Sequence, residues 1–343
     1  MSTSPLRSAR SSTASVAIAT HLAPSLWRIP IPLPAIPGAE HLGFCNAYLI
    51  GPEPWLLVDT GMTTEESIRV FDEGLAEAGV AIDEIESVLI THHHPDHYGM
   101  SRPIRERSGA KVMIHRRDVE MMYESLWGGE QTFGDFLRAH GGPQFEGAPP
   151  LLGAKEYRPA APDDYLFDEQ VFEKGERWVR VLHTPGHSPG HCCFAIGDEG
   201  IVLTGDHILP KITPHVGYFP GGNPNPLGDF LDSLKRIGEG GYRLGLPAHG
   251  EPFLDPASHV GRIVAHHEYR LKATVDALGK GAKTAWDVVP EIFGGDLPGF
   301  HRFAAFFETL SHLILAETEG LIRREVDDQG VVRWRRTSSP GVT

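Results

Sequence analysis

Ser87-Val88-Leu89-Ile90-Thr91-His92-His93-His94-Pro95-Asp96-His97 is the stretch whose reading decides the fold. It opens as a buried strand over Ser87–Thr91, marked by the apolar run Val88-Leu89-Ile90, and runs straight into a cluster of potential metal ligands. Alternate residues of an extended segment point the same way, so His92 and His94 can share one ion. Asp96 and His97 lie past the turn and can face a second ion, which in two-metal sites sits about 3.5–4 Å from the first. Imidazole and carboxylate together suit zinc, iron or manganese. His93 points opposite to its neighbours and reads as structural.

The same chemistry recurs downstream, each time where a strand runs into a loop. Thr184-Pro185-Gly186-His187-Ser188-Pro189-Gly190-His191 offers an imidazole in a braced loop. Thr204-Gly205-Asp206-His207 places a carboxylate after the run Ile201-Val202-Leu203, and Pro247-Ala248-His249-Gly250 adds one more imidazole. Upstream, a strand ends in Val58-Asp59-Thr60-Gly61. These motifs, in this order, resemble the metallo-β-lactamase-fold hydrolase superfamily over residues about 27–256. The resemblance implies an α/β (α+β) fold, a four-layer αββα sandwich with metals at one edge. It implies His92, His94 and His187 on a first ion, Asp96, His97 and His249 on a second, and Asp206 bridging both. Asp96 and Asp206 are then the catalytic carboxylates, and Asp59 matches the aspartate that orients a ligand imidazole. The cofactor expected is two divalent transition-metal ions per chain, zinc foremost, with iron or manganese as the alternatives. Two adjacent dications lower the pKa of a water between them and polarise a substrate carbonyl, so neither a Ser nor a Cys nucleophile is required. Cys192 and Cys193 sit in a predicted strand and read as structural.

At 343 residues the chain has room for about two domains. Residues 1–39 lack Asp and Glu, and Ser, Ala and Arg dominate the first 20, a composition like that of a transit peptide. The reading adopted is a disordered tail over 1–21. Residues 22–256 then mix strands and helices. Cys45–Gly51 and Trp55–Asp59 read as a hairpin, and Thr63-x-x-Glu66 as a capping box. Residues 120–170 read as an irregular insertion, a lid or pocket wall. Strands are expected at Trp178–His183, Cys192–Ile196, Ile201–Thr204 and Leu244–Pro247, with a helix at Leu227–Ile237. Residues 257–338 read as a small helical, winged-helix-like domain. Its helices are His259–Leu278, Thr284–Ile292 and His301–Glu319, and its wing is Leu321–Val326 with Val331–Arg336.

The net charge is 31 − 45 = −14, and residues 1–256 carry all of it, because 257–343 hold 11 basic and 11 acidic residues. An anionic surface repels phosphate backbones, which disfavours nucleic acid as a partner. Three cysteines make no disulfide framework and suit a reducing, cytoplasmic setting. No apolar run approaches the roughly 18 residues of a membrane span. The segment Ile263-x-x-His266-x-x-x-Arg270-Leu271, with Glu319-Gly320-Leu321-Ile322, is similar to the tail of the β-lactamase-like endoribonuclease branch. That branch holds an RNA-cleaving member and thioesterase-like relatives acting on carrier-bound acyl chains. Glyoxalase II shares the metal motifs, but its basic glutathione-contacting residues have no visible counterpart. A flavin-dependent reductase would need a flavodoxin-like domain, for which 257–343 is too short. A metal-binding module without catalysis sits poorly with a complete ligand set. The expected function is hydrolysis of an ester, thioester or lactone of a small acyl substrate, with an endoribonuclease acting on single-stranded RNA as the alternative. The apolar loop 208–220, with Met121, Met122, Tyr123, Trp127 and Phe133, suggests either an apolar acyl pocket or cover for a sheet edge or a homodimer interface. His207, Tyr218, His266 and Arg270 are the candidate substrate contacts.

Overall fold

The computed structural model describes residues 18–34, 42–52, 54–127, 129–143, 157–175, 177–297 and 299–337, without the side chains of 124–132, 299 and 300. Most of the expected tail, residues 144–156 of the insertion and the Trp127 side chain therefore lie outside the described residues. The first sheet takes its strands in chain order: β1 (Thr20–Ala23), β2 (Leu26–Pro32), β3 (Phe44–Ile50), β4 (Trp55–Val58), β5 (Ile85–Leu89), β6 (Lys111–His115) and β7 (Asp164–Leu166). The second runs β8 (Val171–Lys174), β9 (Arg177–His183), β10 (Cys192–Ile196), β11 (Ile201–Gly205), β12 (Leu244–Pro247) and β13 (Phe253–Leu254).

Strand alternation builds the layers. In β10, Cys192, Phe194 and Ile196 join Tyr48, Leu56, Val58 and Leu89 of the first sheet in a core between the sheets. Cys193 and Ala195, pointing the other way, pack against Leu227, Phe230, Leu234 and Ile237 of α6 (Pro226–Glu239). The outer face of the first sheet, with Leu49, Leu57 and Val88, is covered by Phe71 and Leu75 of α1 (Glu65–Ala78) and Ile104 of α3 (Ser101–Ser108). The result is the αββα sandwich. Both cysteines are core residues, and burial pushes the Cys193 thiol up to about 12.

Two local readings are corrected. The cap of α1 is Thr64, not Thr63: its Oγ1 accepts the Ser67 N–H at 3.0 Å. That register puts Glu65 and Glu66 in the first turn, where the helix dipole favours them. The first part of the insertion is helical, with α4 (Arg116–Trp127) and α5 (Gly129–Ala139). Gly129 and Gly134 weaken the intrinsic helix signal, and tertiary packing overrides it. Phe133, Phe136 and Leu137, at i, i+3 and i+4, join a core with Phe306, Phe307 and Leu310 of α9 (Gly299–Thr318). Tyr218 and Phe219 pack against the same core, Phe219 stacking on Phe307 at 4.3 Å. These two aromatics are partly buried against that core.

The chain beyond the second sheet holds α7 (Pro256–Ala277), α8 (Ala285–Phe293), α9 and the hairpin β14 (Ile322–Val326)–β15 (Val332–Arg336). Between α7 and α9 lies a buried imidazole pair. His312 Nδ1 donates to the Glu308 carbonyl at 2.8 Å, so its Nε2 accepts from His267 Nδ1 at 3.3 Å. Burial, with Arg270 and His266 nearby, lowers His312 to about 4; burial, His312 and the same two neighbours lower His267 to about 3. Both folded-state values lie below the unfolded value of about 6.5, so the unfolded chain binds more protons and stability falls as pH drops from about 6.5. Each imidazole should cost about 2 kcal/mol between pH 6.5 and pH 5. Denaturant unfolding of the full chain at these two pH values should show a smaller loss in His312→Gln than in the wild type.

Candidate metal centre

Parallel pairing sends the carboxyl ends of β4 and β5, and of β11 and β12, to a common edge. Asp59 follows β4, His92 and His94 follow β5, Asp206 follows β11 and His249 follows β12. Asp96 and His97 lie on a single helical turn, α2 (Pro95–Tyr98), for which His94 is the cap residue. His187 comes from the loop between β9 and β10.

Three ring nitrogens converge. His92 Nε2 lies 2.8 Å from His94 Nδ1, and His187 Nε2 lies 3.2 Å from each of them. Three corners of a tetrahedron around an ion with N-ligand bonds of 2.0–2.1 Å would be roughly 3.3 Å apart. Two of the outer nitrogens are committed elsewhere. His187 Nδ1 donates to the His215 carbonyl at 2.7 Å, and His92 Nδ1 sits 3.0 Å from Thr91 Oγ1. Thr91 Oγ1 in turn donates to Asp59, which leaves it free to accept from His92. Burial first, and then the neighbouring imidazoles, hold His92 and His94 well below the usual histidine range.

A second group lies alongside. Asp96 Oδ2 is 3.3 Å from His249 Nε2 and 3.7 Å from His97 Nε2. Asp206 reaches both groups: its Oδ2 is 3.6 Å from His187 Nε2 and 3.7 Å from His97 Nε2, and its Oδ1 is 3.5 Å from His249 Nε2. His97 Nδ1 donates to Asp59 Oδ2 at 2.8 Å and His249 Nδ1 to the Phe44 carbonyl at 2.7 Å, so both present Nε2 inward. Burial opposes a charge on His97, but Cys45, Asp96, Asp206 and Asp59 around it raise its pKa well above the usual range. His97 Nε2, His249 Nε2 and Asp206 Oδ1 are buried without a hydrogen-bond partner. Unpartnered inward nitrogens beside carboxylates are costly in a bare protein and are what a cation would satisfy. The donor set therefore fits divalent transition metals.

Other expected residues fall around this centre. His93 turns away, its N–H and ring both held by Asp118. His191 Nε2 accepts the Asp206 N–H at 3.2 Å. His207 is fully buried against Phe230, behind Asp206. Tyr218 is half-buried beside Phe136, and its N–H donates to the Phe307 carbonyl. Arg270 donates to the Ile292 carbonyl and lies over Phe293, with half-buried His266 on the same helix. The sequence reading missed Cys45, whose Sγ lies 3.9 Å from His97 Nδ1 and which burial keeps as a thiol near pKa 12. It also missed Asp118 and the carbonyl of His215. None of these stands in a ligand-spaced motif, so local sequence offered no signal.

Comparison with known proteins agrees with this geometry. Residues 42–249 match the family described as the metallo-beta-lactamase superfamily, and residues 271–337 match a metallo-beta-lactamase-like C-terminal domain. A solved metallo-beta-lactamase family protein of Thermus thermophilus is 32% identical, with a TM-score of 0.79, covering 92% of this chain and 100% of that one. A beta-lactamase domain protein from Burkholderia ambifaria is 28% identical, with a TM-score of 0.77, covering 95% and 97%. An atrochrysone carboxyl ACP thioesterase of Emericella nidulans is 25% identical over 71% of this chain and 64% of its own length. A lactamase-like protein of the same organism is 26% identical over 75% and 71%.

Gly186 tests the rigidity of the His187 loop. Its φ is 140°, and a Cβ there would meet Phe230 Cβ at 2.4 Å and Phe230 Cα at 2.5 Å. The α6 backbone cannot yield, so Gly186→Ala should push the loop outward. Thermal unfolding should show a lowered Tm, and zinc titration a weakened affinity of at least roughly 10-fold.

Proposed function

The chain belongs to the metallo-beta-lactamase superfamily, and from that footing we propose that it is a binuclear metal-dependent hydrolase of acyl thioesters. The observation that carries the reading is the convergence of two donor groups on Asp206, with His97 Nε2, His249 Nε2 and Asp206 Oδ1 left unpartnered in the interior. His92, His94 and His187 would hold one ion; Asp96, His97 and His249 would hold the other; Asp206 would touch both. Bound there, divalent metals supply an activated water and polarisation of a carbonyl. Asp59 fixes the His97 ring so that Nε2 faces inward. Asp96 is the more exposed of the two central carboxylates, 18% against 12%.

Thioester is favoured among acyl bonds by relatives. Two that match at 25% and 26% identity are named atrochrysone carboxyl ACP thioesterases. The leaving group suits the site: a thiol of pKa about 8.5 departs without prior protonation, so the chemistry asks mainly for a nucleophile and stabilisation of the oxyanion. RNA is disfavoured by the wing. Arg323 and Arg335 share Glu325, Arg324 pairs with Glu317, Arg333 with Asp327 and Arg336 with Asp276, so each arginine of the wing has a carboxylate partner and most of its positive charge is offset.

Metal analysis of the zinc-reconstituted chain should give about two ions, falling towards one in His249→Ala; a stoichiometry near one in both proteins would defeat the binuclear reading. Reconstituted protein should cleave acyl-thioesters faster than aryl esters, lactones, S-lactoylglutathione or single-stranded RNA. Preferential cleavage of RNA would replace the thioesterase reading with the endoribonuclease one. Asp206→Ala should cost on the order of 10²-fold or more in kcat/KM, whereas His93→Ala should keep both ions and lose far less. Equal losses would contradict the assignment of facing directions along residues 92–94.

A further inference from the structure

A buried carboxylate outside the donor set ties the site together. Asp118 lies in the first turn of α4 and is fully buried. It belongs to neither donor group, yet both of its oxygens are engaged by the two loops that carry His92, His94 and His187. Oδ2 accepts the His93 N–H at 2.8 Å and the Ser188 hydroxyl at 2.9 Å, and lies 3.2 Å from His93 Nδ1. Oδ1 accepts the Gly190 N–H at 2.6 Å. Gly190 permits this approach, since a Cβ there would lie 2.8 Å from Asp118 Oδ1 and 2.7 Å from the Asp118 nitrogen. The far side of the first loop is held too, the Tyr157 hydroxyl donating to the His93 carbonyl at 2.6 Å.

We propose that Asp118 is a positioning residue for the three-histidine ion, locking the His92–His94 loop to the His187–Gly190 loop. The proposal rests on the binuclear reading above. Its physical content is geometric. His92 and His94 come from one sheet and His187 from the other, and the backbone link beside them, the Cys192 N–H donated to the Thr91 carbonyl at 2.9 Å, lies before His92 and beyond Gly190. Asp118 accepts hydrogen bonds from within both loops, and so ties the ligand-bearing residues themselves together. The Asp96–His97–His249 group has no such link to Asp118. Asparagine is nearly isosteric but keeps one acceptor oxygen and turns an NH₂ towards at least one N–H or O–H donor. Asp118→Asn should therefore loosen one ion and spare the other.

The test titrates the metal-free full chain with Co²⁺, following visible absorption and bound cobalt by elemental analysis, with His92→Ala and His249→Ala as spectral references. Wild type should bind two ions. Asp118→Asn should bind one as wild type does and the other at least roughly 10-fold more weakly. Its spectrum should move towards that of His92→Ala and not that of His249→Ala. Ser188→Ala removes a single donor and should move the same ion by a smaller factor; it carries the test if Asp118→Asn does not fold. Wild-type binding of both ions by Asp118→Asn, or equal weakening of both, would overturn the positioning role while leaving the binuclear reading intact. Failure of the wild type to bind cobalt would overturn both.

Discussion

Removing carboxylates from water at one edge of two stacked sheets is the constraint on which the rest of this structure depends. Asp59, Asp118 and Asp206 are all buried. A buried carboxylate persists only if donors or cations replace its water. Asp59 takes the Thr91 N–H, the Thr91 hydroxyl and His97 Nδ1. Asp118 takes donors from both ligand-bearing loops. Asp206 has its Oδ1 left without a hydrogen bond, within 3.5 Å of His249 Nε2. The first two are satisfied by the protein. The third points to what the protein leaves for an ion.

From that constraint follows the tautomer pattern. His97, His187 and His249 each donate through Nδ1 to an oxygen of the protein, which directs Nε2 inward. Two of the three acceptors are backbone carbonyls, Phe44 and His215, so ring orientation is written into the chain path and not into side chains that a motif would display.

The carbonyl of His215 also couples the centre to the helices beyond the second sheet. His215 Nε2 lies 3.0 Å from the Ala304 carbonyl, the Tyr218 N–H donates to Phe307, and the Ser311 hydroxyl donates to Val216. Helix α9 thus grips the segment whose carbonyl orients His187. Arg270 and His266 lie on α7, which packs against α9; burial there raises the Glu308 carboxyl, with His215 and Arg270 opposing it. The helical unit therefore adjoins the metal edge through hydrogen bonds accepted by backbone carbonyls.

What the sequence determined by itself was the chemistry and its placement at strand ends. Ligand-type residues stood in short motifs, His92-x-His94-x-Asp96-His97, His187, Asp206 and His249, each where an expected strand runs into a loop. The layered fold was what the resemblance carried by those motifs implied, and the helices of the last third were legible from their apolar spacing. Local code failed where packing overrode it: α5 formed despite two glycines because Phe133, Phe136 and Leu137 found α9. The N-cap shifted to Thr64 because its hydroxyl reaches Ser67. Tertiary structure alone decided the supporting set. Asp118, Cys45 and the carbonyls of Phe44 and His215 act through contacts 25 to 205 residues away along the chain or in the opposing sheet. Pairings of that range are fixed by how two sheets and a helix pack, which no single stretch of sequence contains.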